Sequence, residues 1–272
     1  MVYNSYPNGF RQRKSLMAAI LRKSQNKVLG IDIGGTGIKA APVDINKGVL
    51  IEERFRAETP QPPTPRAMLE VIGQIIEHWE WKGKIGCGFP GVLKRGEVHT
   101  AANLSKQWIG INLADQIKKI SSCEAVVIND ADSAGLAEMK FGAGKDYNKH
   151  GGGVVIMVTL GTGIGTALFV DGHLVHNTEL GHIEIEGKDA EKHAAASVRE
   201  RKELSWKKWG TRVNTYLQTM EKLLSPDLFI IGGGVSKKPD KFFKYIEVKA
   251  KLVPAEMNND AGIVGAALAI EL

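Results

Sequence analysis

Apolar positions along the chain alternate between short unbroken runs and longer stretches of helical period. Val28–Ile33 is such a run; a Gly-rich turn at Gly34–Gly37 follows it, then Ile38–Val43 and Val49–Phe55. The pattern predicts three strands joined by two tight connections. Gln61-Pro62-Pro63-Thr64-Pro65 breaks the chain, and Arg66–Trp81 has the length and period of a helix. Ile85–Cys87 and Ala125–Ile128 read as buried strands, with a helix over Asn112–Lys119 between them and another over Asp130–Phe141. Gly151–Leu160 is an apolar strand behind three glycines, followed by a turn at Gly161–Gly165 and a strand at Thr166–Val170. Helices are expected over Ala190–Lys202 and Ser205–Leu224. A strand at Leu228–Ile231 ends in Gly232-Gly233-Gly234, and Ala261–Ile270 is an apolar helix. Strands and helices interleaved in this way predict an α/β fold.

One tetrapeptide sharpens the picture. Gly35-Thr36-Gly37-Ile38 recurs as Gly161-Thr162-Gly163-Ile164, each time with a strand before it and a strand directly after. The repeat predicts an internal duplication, two lobes with the same strand–turn–strand start facing one cleft. The expected division is a tail over 1–26, a small α/β lobe over 27–129 joined by a C-terminal helix over 260–272, and a large α/β lobe over 130–259.

Composition narrows the function classes. The 272 residues are 43% hydrophobic and 24% charged, which excludes a disordered, collagen-like or coiled-coil chain. No apolar run reaches the roughly 20 residues of a membrane span. Cys87 and Cys123 are too few for a disulfide framework or a four-cysteine zinc site, so a reducing, cytoplasmic setting is expected. The net charge of +6 first suggests a polyanion such as nucleic acid. Yet Arg11, Arg13, Lys14, Arg22, Lys23 and Lys27 account for the excess, with no acid among them, and the remainder is balanced. The excess belongs to the tail, so nucleic acid is not expected as a partner. Arg22-Lys23 interrupts the apolar stretch Ser15–Leu21, against a signal peptide. A solvated tail, a transit leader and a true start at Met17 all stay open.

Neither glycine turn is followed by a helix, which excludes a dinucleotide-type or Walker-type phosphate loop. What remains is a hairpin whose glycines let backbone N–H groups approach an anion, with a Thr hydroxyl as an extra donor. Two such hairpins could grip a chain of phosphates from both sides; two ordinary turns are the plainer reading. Asp32 ends an apolar strand beside the first turn, where a carboxylate needs a partner such as a largely hydrated Mg²⁺. Lys39 is either near that site or on a solvated strand face. Asn129-Asp130 ends a strand and begins a helix, where open α/β sheets present ligand groups. Asp130 could cap the helix, as could Asp132, or accept the proton of an alcohol during phosphoryl transfer. Glu179-Leu180-Gly181-His182, after the second hairpin, could hydrogen-bond a polyhydroxyl ligand from two side chains at once.

These segments together resemble the ROK family of repressors, open reading frames and sugar kinases. LGIDIGGTGIK (29–39), VINDAD (127–132), TLGTGIG (159–165) with ELGH (179–182), and FIIGGGVS (229–236) carry the likeness. It implies a two-lobed actin-like/hexokinase-like (ribonuclease H-like) ATPase fold and phosphoryl transfer from inorganic polyphosphate and ATP to the 6-hydroxyl of glucose. An ATP-only hexose kinase is the alternative. A sugar-sensing regulator is disfavoured, because residues 1–27 are too short for a helix-turn-helix domain. The resemblance makes Asp130 the general base. It gives Asn103, Asn129, Asp130, Glu179, His182 and Glu191 the sugar, with Glu184 and Glu186 as rivals to Glu191. Gly34, Gly35, Thr36, Lys39, Gly161, Thr162, Gly163, Gly165, Gly233 and Gly234 would face phosphates or nucleotide, and Asp32 would hold Mg²⁺ through water. Phe89-Pro90-Gly91 would wall the cleft. The cysteine-rich zinc knuckle usual in the family has no counterpart in Ile183–Ala190, so no structural zinc is expected. Mannose as a second acceptor and a homodimer are the remaining expectations. Basic residues gather over 188–208 and 237–251, either as a polyphosphate track or as solvated helical faces.

Overall fold

The computed structural model describes residues 26–101, 104–149 and 152–272. In it the first apolar run becomes β1 (Lys27–Ile33), which pairs antiparallel with β2 (Gly37–Asp44) across the first glycine turn. The expected strand over Val49–Phe55 is not continuous. The charged Glu52-Glu53-Arg54 loops out, leaving β3 (Val49–Leu50) on the Val43–Asp44 end of β2 and β4 (Phe55–Glu58) on its Gly37–Ala40 end. Helix α1 (Pro65–His78) starts with Thr64 as N-cap, accepting from Ala67 N, and Pro65 in the first turn, where no N–H is missed. It ends before the expected Trp81 because Glu80 turns left-handed.

Next come β5 (Ile85–Phe89), the hairpin β6 (Leu93–Lys94) and β7 (Glu97–Val98), α2 (Leu113–Ser121) and β8 (Ala125–Asn129). The first sheet runs β3-β2-β1-β5-β8, with β1, β5 and β8 parallel. Parallel strands covered on both faces read as continuous apolar runs, which is why this part was legible.

Helix α3 (Asp130–Phe141) leads to α4 (Lys145–Lys149) and the second sheet. Here β9 (Val154–Leu160), β10 (Ile164–Val170) and β11 (His173–Val175) are antiparallel neighbours. The small hairpin β12 (Glu184–Ile185) and β13 (Lys188–Asp189) follows. The helix expected over Ala190–Lys202 is two, α5 (Glu191–Ala194) and α6 (Ala196–Arg201), parted by an extended Ala195. The indole N–H of the buried Trp209 takes the carbonyls of Ala194 (3.0 Å) and Ala195 (3.2 Å), which a continuous helix would have needed. Helix α7 (Trp206–Leu224), β14 (Leu228–Gly232), β15 (Lys251–Pro254) and α8 (Ala261–Leu268) complete the chain. The basic stretch 237–251 is a series of 3₁₀ turns rather than a helical face. The second sheet runs β11-β10-β9-β14-β15 with β9, β14 and β15 parallel, repeating the topology of the first.

Helix α3 belongs to both halves. Ala137 packs with α8 and the back of the first sheet, and Met139 with the back of the second. Gly265 lets α8 cross α3 closely, since a Cβ there would lie 1.6 Å from the Ser133 carbonyl oxygen. Glu138, fully buried, accepts from the N–H groups of Ala143 (2.9 Å), Glu256 (3.1 Å) and Met257 (2.7 Å). The far end of α3 is thereby tied to the segment entering α8.

Candidate active site

The two glycine turns open onto one cleft of about 880 Å³. Gly35 and Thr36 line it from the first sheet; Gly161, Thr162, Gly163 and Gly165 line it from the second, with Gly233 beyond β14. The turns differ in length by one residue but close on the equivalent acceptor. Gly34 N donates to Gly37 O (3.0 Å) and Gly161 N donates to Gly163 O (3.0 Å), so both bonds end on the equivalent glycine of the repeat. Closing the hairpins therefore uses the N–H groups of Gly34 and Gly161, and Gly34 stays out of the cleft lining. Gly234 lies on an adjoining hollow of about 300 Å³, which shares Gly161 and Thr162 with the cleft.

Between the turns lies Asp130. The strand before it ends in Asn129, and that residue, not Asp130 or Asp132, is the N-cap: its Oδ1 accepts from Ala131 N (2.8 Å) and Asp132 N (3.0 Å). Asn129 Nδ2 also donates to Gly91 O (3.2 Å). Three of the four hydrogen-bonding positions of this carboxamide are thus used inside the protein, leaving one N–H for a ligand. Released from capping, Asp130 is half-buried at the cleft wall with Oδ1 near Ala131 N (2.8 Å). Burial pushes its carboxyl up to about 7, and the charges of Asp32 and Glu179 push the same way against the Ala131 N–H.

Asp32, one residue before the end of β1, lies outside the cleft lining and 3.5 Å from Lys39 Nζ. Burial raises its pKa and Lys39 opposes that. The Asp32 charge that raises the Asp130 carboxyl is one that a cation would relieve. Among the described residues no group of three His, Cys, Asp or Glu could hold a metal directly. A cation here would be held by Asp32 through water rather than in a protein cage.

Glu179, His182 and Glu191 also line the cleft. His182 Nδ1 lies 3.0 Å from Asp189 Oδ2 and its Nε2 3.8 Å from Glu179 Oε2. The hydrogen bond to Asp189 raises the imidazole pKa, with Glu191 adding to it. Burial raises the Glu179 carboxyl, which His182 opposes and Glu191 reinforces. Glu191 Oε2 accepts from Ile164 N (2.9 Å), joining this group to the second turn. A Cβ at 163 would come 2.1 Å from that carboxylate oxygen, so any larger residue there would displace the Glu191 carboxylate. Glu184 and Glu186, the rivals to Glu191, are exposed on the β12–β13 hairpin and do not line the cleft. Asn103 lies outside the described residues. Pro90 and Gly91 line the cleft, but Phe89 does not; it is fully buried, edge-on to Trp108 at 5.3 Å. Sequence reasoning missed Asp189, which has no motif spacing to mark it.

Comparison with known proteins identifies the family and the fold. The ROK family model matches residues 28–196. A polyphosphate glucokinase of Mycobacterium tuberculosis (strain CDC 1551 / Oshkosh) is 45% identical over 247 residues, 90% of this chain and 92% of that protein. The crystal structure of an inorganic polyphosphate/ATP-glucomannokinase from Arthrobacter sp. strain KM is 44% identical, with a TM-score of 0.84 over 90% of this chain and 98% of that one. A ROK family glucokinase from Streptomyces griseus, solved with glucose and AMPPNP, shares the fold at 23% identity and a TM-score of 0.77, covering 90% of this chain and 100% of that one. The fold is therefore the two-lobed actin-like/hexokinase-like one of ROK sugar kinases, and the chain belongs to the ROK family.

Proposed function

We propose that the protein is a glucokinase that transfers a phosphoryl group from inorganic polyphosphate, and from ATP, to the 6-hydroxyl of glucose. The observation that carries this reading is the position of Asp130: a carboxylate titrating at about 7, freed from capping by Asn129, on a cleft that both glycine turns line. A base with that pKa is half-ionised near neutrality, the range in which proton acceptance from an alcohol is most effective. Asp130 takes the O6 proton as the O6–P bond forms and the bridging P–O bond of the donor breaks. The donor leaves one phosphate shorter, or as ADP, and Asp130 passes its proton to solvent. Glu179, His182 and Glu191 hold hydroxyls, Asn129 offers its remaining N–H, and Asn103 is a further sugar ligand on the resemblance alone. Thr36 and Thr162, with the free N–H groups of the two turns, receive phosphate oxygens; Lys39 adds charge beside Asp32. Mg²⁺, held through water by Asp32, supplies charge neutralisation to the phosphates when bound.

The charge beside the second turn supports polyphosphate as a donor. Arg199 and Lys238 line the hollow that continues from Gly161 and Thr162, and Arg199 lies flat on Trp206 at 4.1 Å with its Nε unpaired. A polyanion longer than three phosphates would continue along this side. Purified protein assayed for glucose 6-phosphate with long-chain polyphosphate and, separately, ATP tests the reading, with mannose as a second acceptor. Turnover with ATP alone would leave the ATP-only hexose kinase; turnover with neither would remove the kinase.

A further inference from the structure

Glu179 enters the cleft from a segment with almost no regular structure of its own, between β11 and the single 3₁₀ turn Leu180–His182. The residues around it are tied down one by one. Asn177 is left-handed at φ 59°, a conformation Asn tolerates. Its N–H donates to Asp132 Oδ2 (2.9 Å), two residues beyond Asp130 on α3. Its carboxamide grips Leu93 of β6 both ways, Oδ1 accepting from Leu93 N (2.9 Å) and Nδ2 donating to Leu93 O (2.8 Å). Thr178 O accepts from Thr166 Oγ1, Thr178 Oγ1 donates to Thr166 O (3.1 Å), and Leu180 N donates to Thr166 Oγ1 (3.2 Å).

Neither Asp132 nor Asn177 lines the cleft; both border a separate hollow of about 630 Å³ on its other side. Asp132 is only 1% exposed, and its Oδ1 is buried with no partner. A buried carboxyl with an orphaned oxygen costs stability, and an apolar side chain of similar size would avoid that cost. What the carboxyl supplies is a fixed acceptor for Asn177 N–H. We propose that Asp132 and Asn177 are positioning residues for the acceptor sugar: they form one hydrogen-bonded joint that locks the segment carrying Glu179 to the helix carrying Asp130 and to the β6–β7 hairpin. The joint sets the spacing of the two carboxylates across the bound sugar, and it rests on the reading of Glu179 as a sugar ligand.

The test is steady-state kinetics of the full chain, with Tm recorded for each variant. Asp132→Ala removes the acceptor; Asn177→Gly keeps the left-handed backbone and removes the grip on Leu93. Each should raise KM for glucose about tenfold, as expected when a binding wall shifts by a fraction of an ångström, while KM for polyphosphate changes less than about twofold. Asp132→Asn retains an acceptor oxygen and should restore KM for glucose to within about threefold of wild type. A fall in Tm with KM for glucose unmoved in both Asp132→Ala and Asn177→Gly makes the joint merely structural and overturns the proposal. Glu179→Gln separates the two levels. If it leaves KM for glucose unchanged, the sugar-ligand reading itself fails; if it raises KM and the joint variants do not, only the joint fails.

Discussion

Replacing Asp130 by Asn tests the catalytic reading and its energetics in one variant. Asn keeps the size of the side chain and an oxygen for the Ala131 N–H, so the Asn129 cap and the start of α3 are preserved. What is lost is the proton acceptor, and removing a general base typically lowers turnover about 10²- to 10⁴-fold. Glucose should still bind, because the Glu179, His182 and Glu191 wall is untouched. The same substitution should stabilise the protein at neutral pH. The folded carboxyl titrates at about 7 against a usual value of 3.8. Its stability contribution is therefore present below pH ~4 and is lost as pH rises through about 7. At about 1.4 kcal/mol per unit the full shift corresponds to roughly 4 kcal/mol, and water in the open cleft reduces that to about 2. For a chain of this length that is about 4–8 °C in Tm. Calorimetry from pH 4 to 8 should show the variant pulling ahead of wild type as pH rises, with the gap level above pH ~7.5. Wild-type kcat/KM should rise through the same interval. Turnover within about twofold of wild type, or a Tm gap independent of pH, would refute the reasoning.

Other perturbations follow from the same geometry. Glu138→Ala strips the shared acceptor from three part-buried N–H groups and should cost about 2–4 kcal/mol, read by urea unfolding. Gly163→Ala drives a methyl group into Glu191 Oε2 and should lower turnover at least about tenfold with polyphosphate and with ATP alike, leaving the far-ultraviolet dichroism unchanged. Exchanging Arg199 and Lys238 for Gln should raise KM for polyphosphate more than KM for ATP and flatten the dependence of the former on salt; equal changes count against a polyphosphate track. Deleting residues 1–16 should leave kinase activity intact, and a collapse in activity would show that the tail takes part in the fold.

Much of this arrangement was legible because it rests on local pattern. Unbroken apolar runs ending in glycine marked β1, β9 and β14, and the repeated Gly-Thr-Gly-Ile marked the paired turns that line the cleft. The boundaries of α3 were readable to the residue, since an apolar strand running into Asn-Asp-Ala-Asp signals a capped helix start. Which residue caps was not readable: Asn129, Asp130 and Asp132 all suit the position, and only the direction of the chain leaving β8 selects the first. The break at Ala195 depends on an indole from Trp209, and the Asn177 joint on partners at 93 and 132. No window along the sequence contains such contacts. Phe89 was misread as a cleft wall because a residue beside a ligand-facing Pro-Gly pair can point either way, and here it fills the core against Trp108.

The grip of Glu138 on Glu256 and Met257 bears on how the protein is made. On a ribosome, β1 through β8 emerge early, yet the back of their sheet stays open until residues 261–268 arrive to cover it. The helix that presents Asp130 receives its final support from residues more than a hundred positions later in the chain. A nascent chain halted before residues 256–268 should therefore be an inert, aggregation-prone species rather than a weakly active enzyme.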